Sequence, residues 1–299
     1  MKTLQQIAEG MFDVEDMADQ GFEEGKMDKF IEMIGNTKVE FEIVGDDFIA
    51  NAKNSHGSFL DLNKAPFIEV FGRTFDKLIL QDIITFWIPE MYTPENYTEI
   101  IEINPRSNCY VGSVDSKSLI KDVTINMNSR NHELLNIGRI TFKNCIINAR
   151  ESYSNVVLDG PGSDLQFLKS STINLGDHSR LTIDPGKSSK SQISKLFGEL
   201  YYHYRKFGGG TMRTGKAASD KILIKDVKVK KDPHWMGTII DESGRPMMTK
   251  EDIDKITDFL GFKLNCKDLD YFIFCVTPKE YLQFSTQGKG VYTCEYYRI

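Results

Sequence analysis

Cysteine is scarce in this chain and follows no pattern. Cys109, Cys145, Cys266, Cys275 and Cys294 make an odd number with no C-x-x-C pair, so neither a disulfide framework nor a zinc knuckle is suggested. Reduced thiols are expected, with Cys145, in the run Phe142-Lys143-Asn144-Cys145-Ile146-Ile147, a small buried hydrophobe. Histidine is equally sparse: of His56, His132, His178, His203 and His234, no two lie at i, i+4 spacing. A metal site would have to assemble from distant segments, and neither a metal nor a cofactor is expected. Long apolar runs are missing too. None approaches the roughly 20 residues that a membrane-spanning helix needs. After Met1-Lys2 come Gln5, Gln6, Glu9 and Asp13, which leaves no apolar stretch for a secretory signal. Membrane insertion and export by that route are therefore not expected.

Basic residues are nearly absent from the first 28 positions. Lys2 and Lys26 stand against eight acids (Glu9, Asp13, Glu15, Asp16, Asp19, Glu23, Glu24 and Asp28), a net of −6 that equals the charge of the whole chain. A charge block at one terminus marks a tail more than a core. Acids are missing in turn between Lys187 and Lys216. There Lys187, Lys190, Lys195, Arg205, Lys206, Arg213 and Lys216 face only Glu199, with Tyr201, Tyr202, Tyr204 and Phe207 interleaved. This stretch could be a solvated helix face, a receiver for an acidic partner or for the chain's own tail, or a grip on nucleic acid through phosphate contacts and base stacking.

What the 299 residues do contain is a globular balance, 27% charged and 40% hydrophobic, enough for one to three domains. Leu4, Ile7 and Met11 are at helical spacing, a short amphipathic helix that needs something to dock on. Val39 to Val44 alternates apolar and polar, Gly45-Asp46-Asp47 is a turn signal, and Phe48-Ile49-Ala50 returns as a second strand.

The dominant signal is a repeat. Ile120-Lys121-Asp122-Val123-Thr124-Ile125-Asn126, Phe142-Lys143-Asn144-Cys145-Ile146-Ile147-Asn148 and Leu168-Lys169-Ser170-Ser171-Thr172-Ile173-Asn174 superpose without gaps. Looser copies begin at Leu80 and Ile224, and Tyr97 to Asn104 falls where a further copy is due. Such a unit cannot bury its apolar side alone. Strands stacked about 4.8 Å apart share one core and pair their backbones with the coils above and below. Ile125, Ile147 and Ile173 are expected to form an apolar ladder, and Asn126, Asn148 and Asn174 to sit at a bend and stack. An antiparallel sandwich with look-alike strands is the competing architecture. The motif resembles the strand–corner–strand units of right-handed parallel β-helix proteins, the architecture of pectate lyases and phage tailspikes; the likeness covers about half of the chain and implies architecture, not activity.

The expected fold is thus mainly β. An acidic targeting or docking segment (1–36) precedes a parallel β-solenoid (37–230) with a helical insertion at about 188–207, and a small α+β capping domain (231–299) follows. In that last part strands are expected at Gly237 to Asp241, Phe272 to Val276 and Val291 to Tyr297, with a helix opened by Thr249 and Asp252.

Chemistry is thinly signalled. Gly210 to Lys216 has phosphate-loop spacing, but Ala217 stands where a magnesium-binding hydroxyl belongs, so the glycines read as a connector. Asp82, Asp122 and Asp226 share one position of the repeat and are the candidate catalytic carboxylates. Asn144 and Ser170 hold that position in other copies, so a polar corner explains all five. The reading favoured is non-enzymatic. Finally, Met1 to Gly10 is similar to the capsid-targeting leader of tailed-phage head proteins, and Ile7-Ala8-Glu9 fits the pattern cut by prohead proteases. That likeness implies processing between Glu9 and Gly10, a virion or host-cytoplasmic location, and protein partners among capsid or tail components. The expectation is a virion-associated or accessory protein whose solenoid makes protein contacts, with oligomers allowed. The alternatives are a carbohydrate-binding or polysaccharide-cleaving β-helix and, behind it, nucleic-acid binding.

Overall fold

A computed structural model describes residues 25–34, 39–52, 59–106, 108–113, 118–128, 134–162, 165–185, 254, 257–277, 280–286 and 291–298, together with short strands at 212–215, 222–224, 239–240 and 246–249. The chain is mostly β and contains a parallel β-solenoid of about four turns. Its first face stacks Asp47–Asn51, Phe75–Gln81, Thr98–Asn104, Thr124–Met127, Ile146–Ala149, Thr172–Leu175 and Lys263–Asn265 in parallel. The second face stacks Phe59–Asp61, Thr85–Trp87, Cys109–Gly112, Leu134–Gly138, Asn155–Asp159, Ser179–Asp184 and Leu269–Thr277, again in parallel. A shorter third face holds Met91–Tyr92, Leu119–Lys121 and Thr141–Lys143. In the next coil the turn at 165–170 takes the place of a third-face strand, bonded through Phe142 N–H to Phe167 O at 2.6 Å and Asn144 N–H to Lys169 O at 3.2 Å.

The repeat sets the register because each strand has one apolar row, and a one-residue slip would turn that row outward. On the first face Phe48, Leu78, Ile101, Ile125, Ile147, Ile173 and Leu264 are successive partners. Ile125, Ile147 and Ile173 are all 1% exposed or less, the expected ladder. On the second face Leu60, Phe86, Val111, Ile137, Leu158 and Ile183 form the facing ladder. Burying one such side chain contributes about 1.5–3 kcal/mol. Cys145 belongs to this core: it is buried, its Sγ–H is directed at Ile120 O at 3.3 Å, and burial pushes its thiol up to about 11.

Corners are tight because one residue per bend adopts the left-handed conformation. Asp122 (φ 58°), Asn144 (56°), Ser170 (60°) and Gly261 (81°) succeed one another where the chain enters the first face. Asp, Asn and Gly are the residues that tolerate this backbone best. The repeated heptad is therefore strand, corner, strand, with Val123, Cys145 and Ser171 turned inward just past the bend. The asparagines do not sit at that bend as expected. Asn126, Asn148 and Asn174 lie within first-face strands.

The N-terminal end is closed by a hairpin, Glu40–Val44 against Asp47–Asn51, with Gly45 (φ 61°) first in a two-residue loop. On it packs the helix Lys26–Ile34, whose Phe30 is fully buried against Phe41, Phe48 and Phe71, with ring centroids 5.3–5.4 Å apart. At the far end, Lys263–Asn265 and Leu269–Thr277 add a rung after a long excursion, and Glu280–Thr286 and Val291–Arg298 continue the second face antiparallel. Of the looser copy starting at Ile224 only the first residue is described, in Ile222–Ile224, which pairs antiparallel with Met212–Gly215; the rest of that copy lies outside the described residues. The helices expected at 3–12 and 188–207 lie outside the described residues. No described helix is long and apolar enough to cross a membrane.

Candidate functional site

Of the repeat carboxylates, the described Asp82 and Asp122 lie at different corners of the coil. Asp82 follows first-face strand Phe75–Gln81, at the corner leading to the second face, whereas Asp122 follows third-face strand Leu119–Lys121 at the corner leading to the first. The looser copy at Leu80 is out of phase with the others, because apolar spacing alone cannot tell one corner of a coil from the next. Asp82 (φ 58°) is paired with Arg106 Nε at 2.8 Å. The exposed Asp122 carboxylate accepts Asn144 Nδ2–H at 2.7 Å beside Lys121 Nζ at 3.0 Å; the amide first, and then the ammonium, hold its pKa below the usual carboxylate value. Asp226 lies outside the described residues, as do Lys187, Lys190, Lys195, Arg205, Lys206, Lys216, Glu9 and Gly10. Arg213 is placed only through the backbone of Met212–Gly215.

The outer side of the first face carries an amide ladder. Asn148 donates to Asn126 at 2.7 Å, Asn174 to Asn148 at 2.8 Å and Asn265 to Asn174 at 2.8 Å. A parallel stack at fixed spacing lets each side-chain amide donate to the one before it, the arrangement that also stabilises cross-β stacks. One bend away, Asn128 Nδ2–H bonds Asn104 Oδ1 at 2.8 Å.

On the outer side of the second face, Gly112 and Gly138 leave room for the ring of Tyr110, which occupies the space a side chain would take at both positions. A Cβ on Gly138 would be 2.6 Å from Tyr110 Oη, and one on Gly112 would overlap the ring. In the same column the next two rungs place Asp159 beside Asp184. Burial first, and the Asp184 charge second, push the Asp159 carboxyl up to about 6. The sequence does hold a signal for this pair. Asn155-Val156-Val157-Leu158-Asp159-Gly160 and Arg180-Leu181-Thr182-Ile183-Asp184-Pro185 match in pattern, a second-face repeat eclipsed by the stronger first-face one.

At the corner between the first and second faces, Tyr153 (φ 64°) and His178 (φ 58°) stack with ring centroids 5.1 Å apart. His178 Nδ1 faces Asp270 at 3.2 Å and Asp268 at 3.6 Å. A separate cavity of about 690 Å³ lies beside the last first-face rungs, with Ser170, Thr172, Asp254, Asp258 and Lys263 in its wall.

No family model matches the chain, and comparison with curated proteins and with solved structures returns no match.

Proposed function

We propose that the chain is a non-enzymatic accessory protein of a bacteriophage virion, in which the β-solenoid is a stiff rod whose outer faces make protein contacts. One observation carries the non-enzymatic part: the polar residues of the repeat are engaged with each other. Asp82 holds Arg106, Asp122 holds Asn144, and the asparagines bond along the stack. Groups committed to architecture are poor candidates for proton transfer, which needs a carboxyl within reach of a substrate proton. The phage setting, with capsid or tail proteins as partners, is supported by the leader-like Met1 to Gly10. Mass spectrometry of purified particles tests it. A peptide of this chain starting at Gly10 is the expected result; absence from particles, with Glu9–Gly10 intact, removes the reading.

A second reading, of carbohydrate binding or cleavage, is favoured by the Tyr110 platform and the Asp159–Asp184 pair. A flat ring is a stacking surface, and a carboxyl with raised pKa beside another carboxylate is the pairing that glycoside hydrolysis uses. Glycan-array binding lost in Tyr110→Ala, or reducing-sugar release lost in Asp159→Asn, would support it. A blank array and no sugar release dismiss it.

A further inference from the structure

We infer that His178, Asp268 and Asp270 form a binding site for a first-row divalent metal ion, and that the bound ion clasps the last rung of the solenoid to the one before it.

The donor geometry is the first ground. His178 Nδ1 is 3.2 Å from an Asp270 oxygen and 3.6 Å from an Asp268 oxygen, and all three ligand atoms lie within 4.8 Å of one another. Donors about 2.0–2.1 Å from one cation are roughly 3.0–3.5 Å apart in octahedral or tetrahedral arrangements. One imidazole and two carboxylates suit a borderline cation such as Zn²⁺ or Mn²⁺ better than calcium or magnesium, which favour oxygen alone. The side chains are 33–46% exposed, which leaves room for water to complete the shell.

Preorganisation is the second. The imidazole lies against the Tyr153 ring, 19° from parallel, which fixes its plane. His178 N–H bonds Asp268 O at 2.6 Å, so the two corners are already in register before an ion arrives. Ligands held by their surroundings lose less freedom on binding.

Chain connectivity supplies the consequence. His178 precedes the second-face strand Ser179–Asp184, whereas Asp268 and Asp270 belong to the rung that follows the excursion between 186 and 262. An ion shared between them closes a loop of about ninety residues, and cross-links over long loops remove the most chain entropy. Binding to the folded state alone then stabilises it by mass action.

The test uses the full chain, stripped with EDTA and titrated separately with Zn²⁺ and Mn²⁺ by calorimetry, with thermal unfolding in parallel. One ion per chain at micromolar or tighter affinity is expected, with a rise in Tm. Amide exchange should slow at Ser179–Asp184 and Leu269–Thr277 and stay unchanged at Phe75–Gln81. Asp270→Asn, which keeps the side-chain volume, and His178→Asn, which suits the left-handed backbone of its corner (φ 58°), should weaken binding at least tenfold. Absence of saturable binding below millimolar metal overturns the site and leaves a histidine–carboxylate ion pair. Wild-type affinity in both variants overturns the ligand assignment. Should a variant fail to fold, Co²⁺ absorption on the wild-type chain decides: visible bands displaced by Zn²⁺ support the site, and an aquo-ion spectrum refutes it.

Discussion

At its N-terminal end the first face stops in an antiparallel hairpin roofed by an aromatic helix, whereas at the opposite end the second face simply runs on, reversing strand direction at Glu280–Thr286 and Val291–Arg298. An uncovered final coil is a template for edge-to-edge association, and the molecule meets that problem twice by different physics. Around Phe30, five phenylalanines replace the missing neighbour coil with apolar volume. At the other end the backbone bonding continues, and side-chain pairing is polar: the Asn265 amide on Asn174, and His178 facing Asp268 and Asp270. A plug is set by shape, a continued sheet by register. The plug should therefore suffer most from lost volume, and the continued end from lost polar partners.

Phe30→Ala gives the largest expected effect, a loss of about 3–5 kcal/mol in urea unfolding. A loss below about 1 kcal/mol would mean that the helix does not hold the N-terminal end. Ile147→Ala, in the middle of the ladder, is expected to cost about 2–5 kcal/mol. A cost there equal to that at Phe30 would place cap and ladder in one cooperative unit.

Asn148→Ala removes both bonds of a partly exposed amide in mid-ladder and is expected to cost about 1 kcal/mol, whereas Asn128→Ala, which removes one bond, should cost less. Equal losses would deny the ladder any special standing.

Asp159 separates the outer second face from both ends through pH. Its folded-state pKa is raised, to about 6, so the folded chain binds the extra proton. Stability should fall as pH rises from about 4 to 6, by an amount on the order of 1 kcal/mol once solvent screening of a partly exposed group is allowed for. Asp159→Asn should flatten that slope; an unchanged slope assigns it to other groups. Arg139→Gly, at a left-handed corner (φ 61°), has the smallest effect, a gain of at most about 1 kcal/mol in thermal unfolding.

The solenoid was legible because its signal is local and repeated: in each heptad a small polar residue at the third position, an isoleucine at the sixth and an asparagine at the seventh. The hairpin at 40–51 was legible for the same reason, alternation around a glycine turn. The phase of a coil was not. The Leu80 copy matches the heptad, yet its aspartate turns a different corner, because a seven-residue pattern records burial and not which of three bends the chain is making. The candidate site was less legible still. Tyr110, Gly112 and Gly138 become one platform only when two strands stand side by side, and His178 meets Asp270 across 92 residues.

By itself the sequence determined the period, the apolar rows and the left-handed corners, since these depend on neighbours within a few residues, on side-chain alternation and on local backbone sterics. Only the tertiary structure decided which corners coincide, what roofs each end, and that a rung after residue 262 returns to the stack. Those outcomes follow from stacking at a common strand spacing, which aligns residues by coil and not by their distance along the chain.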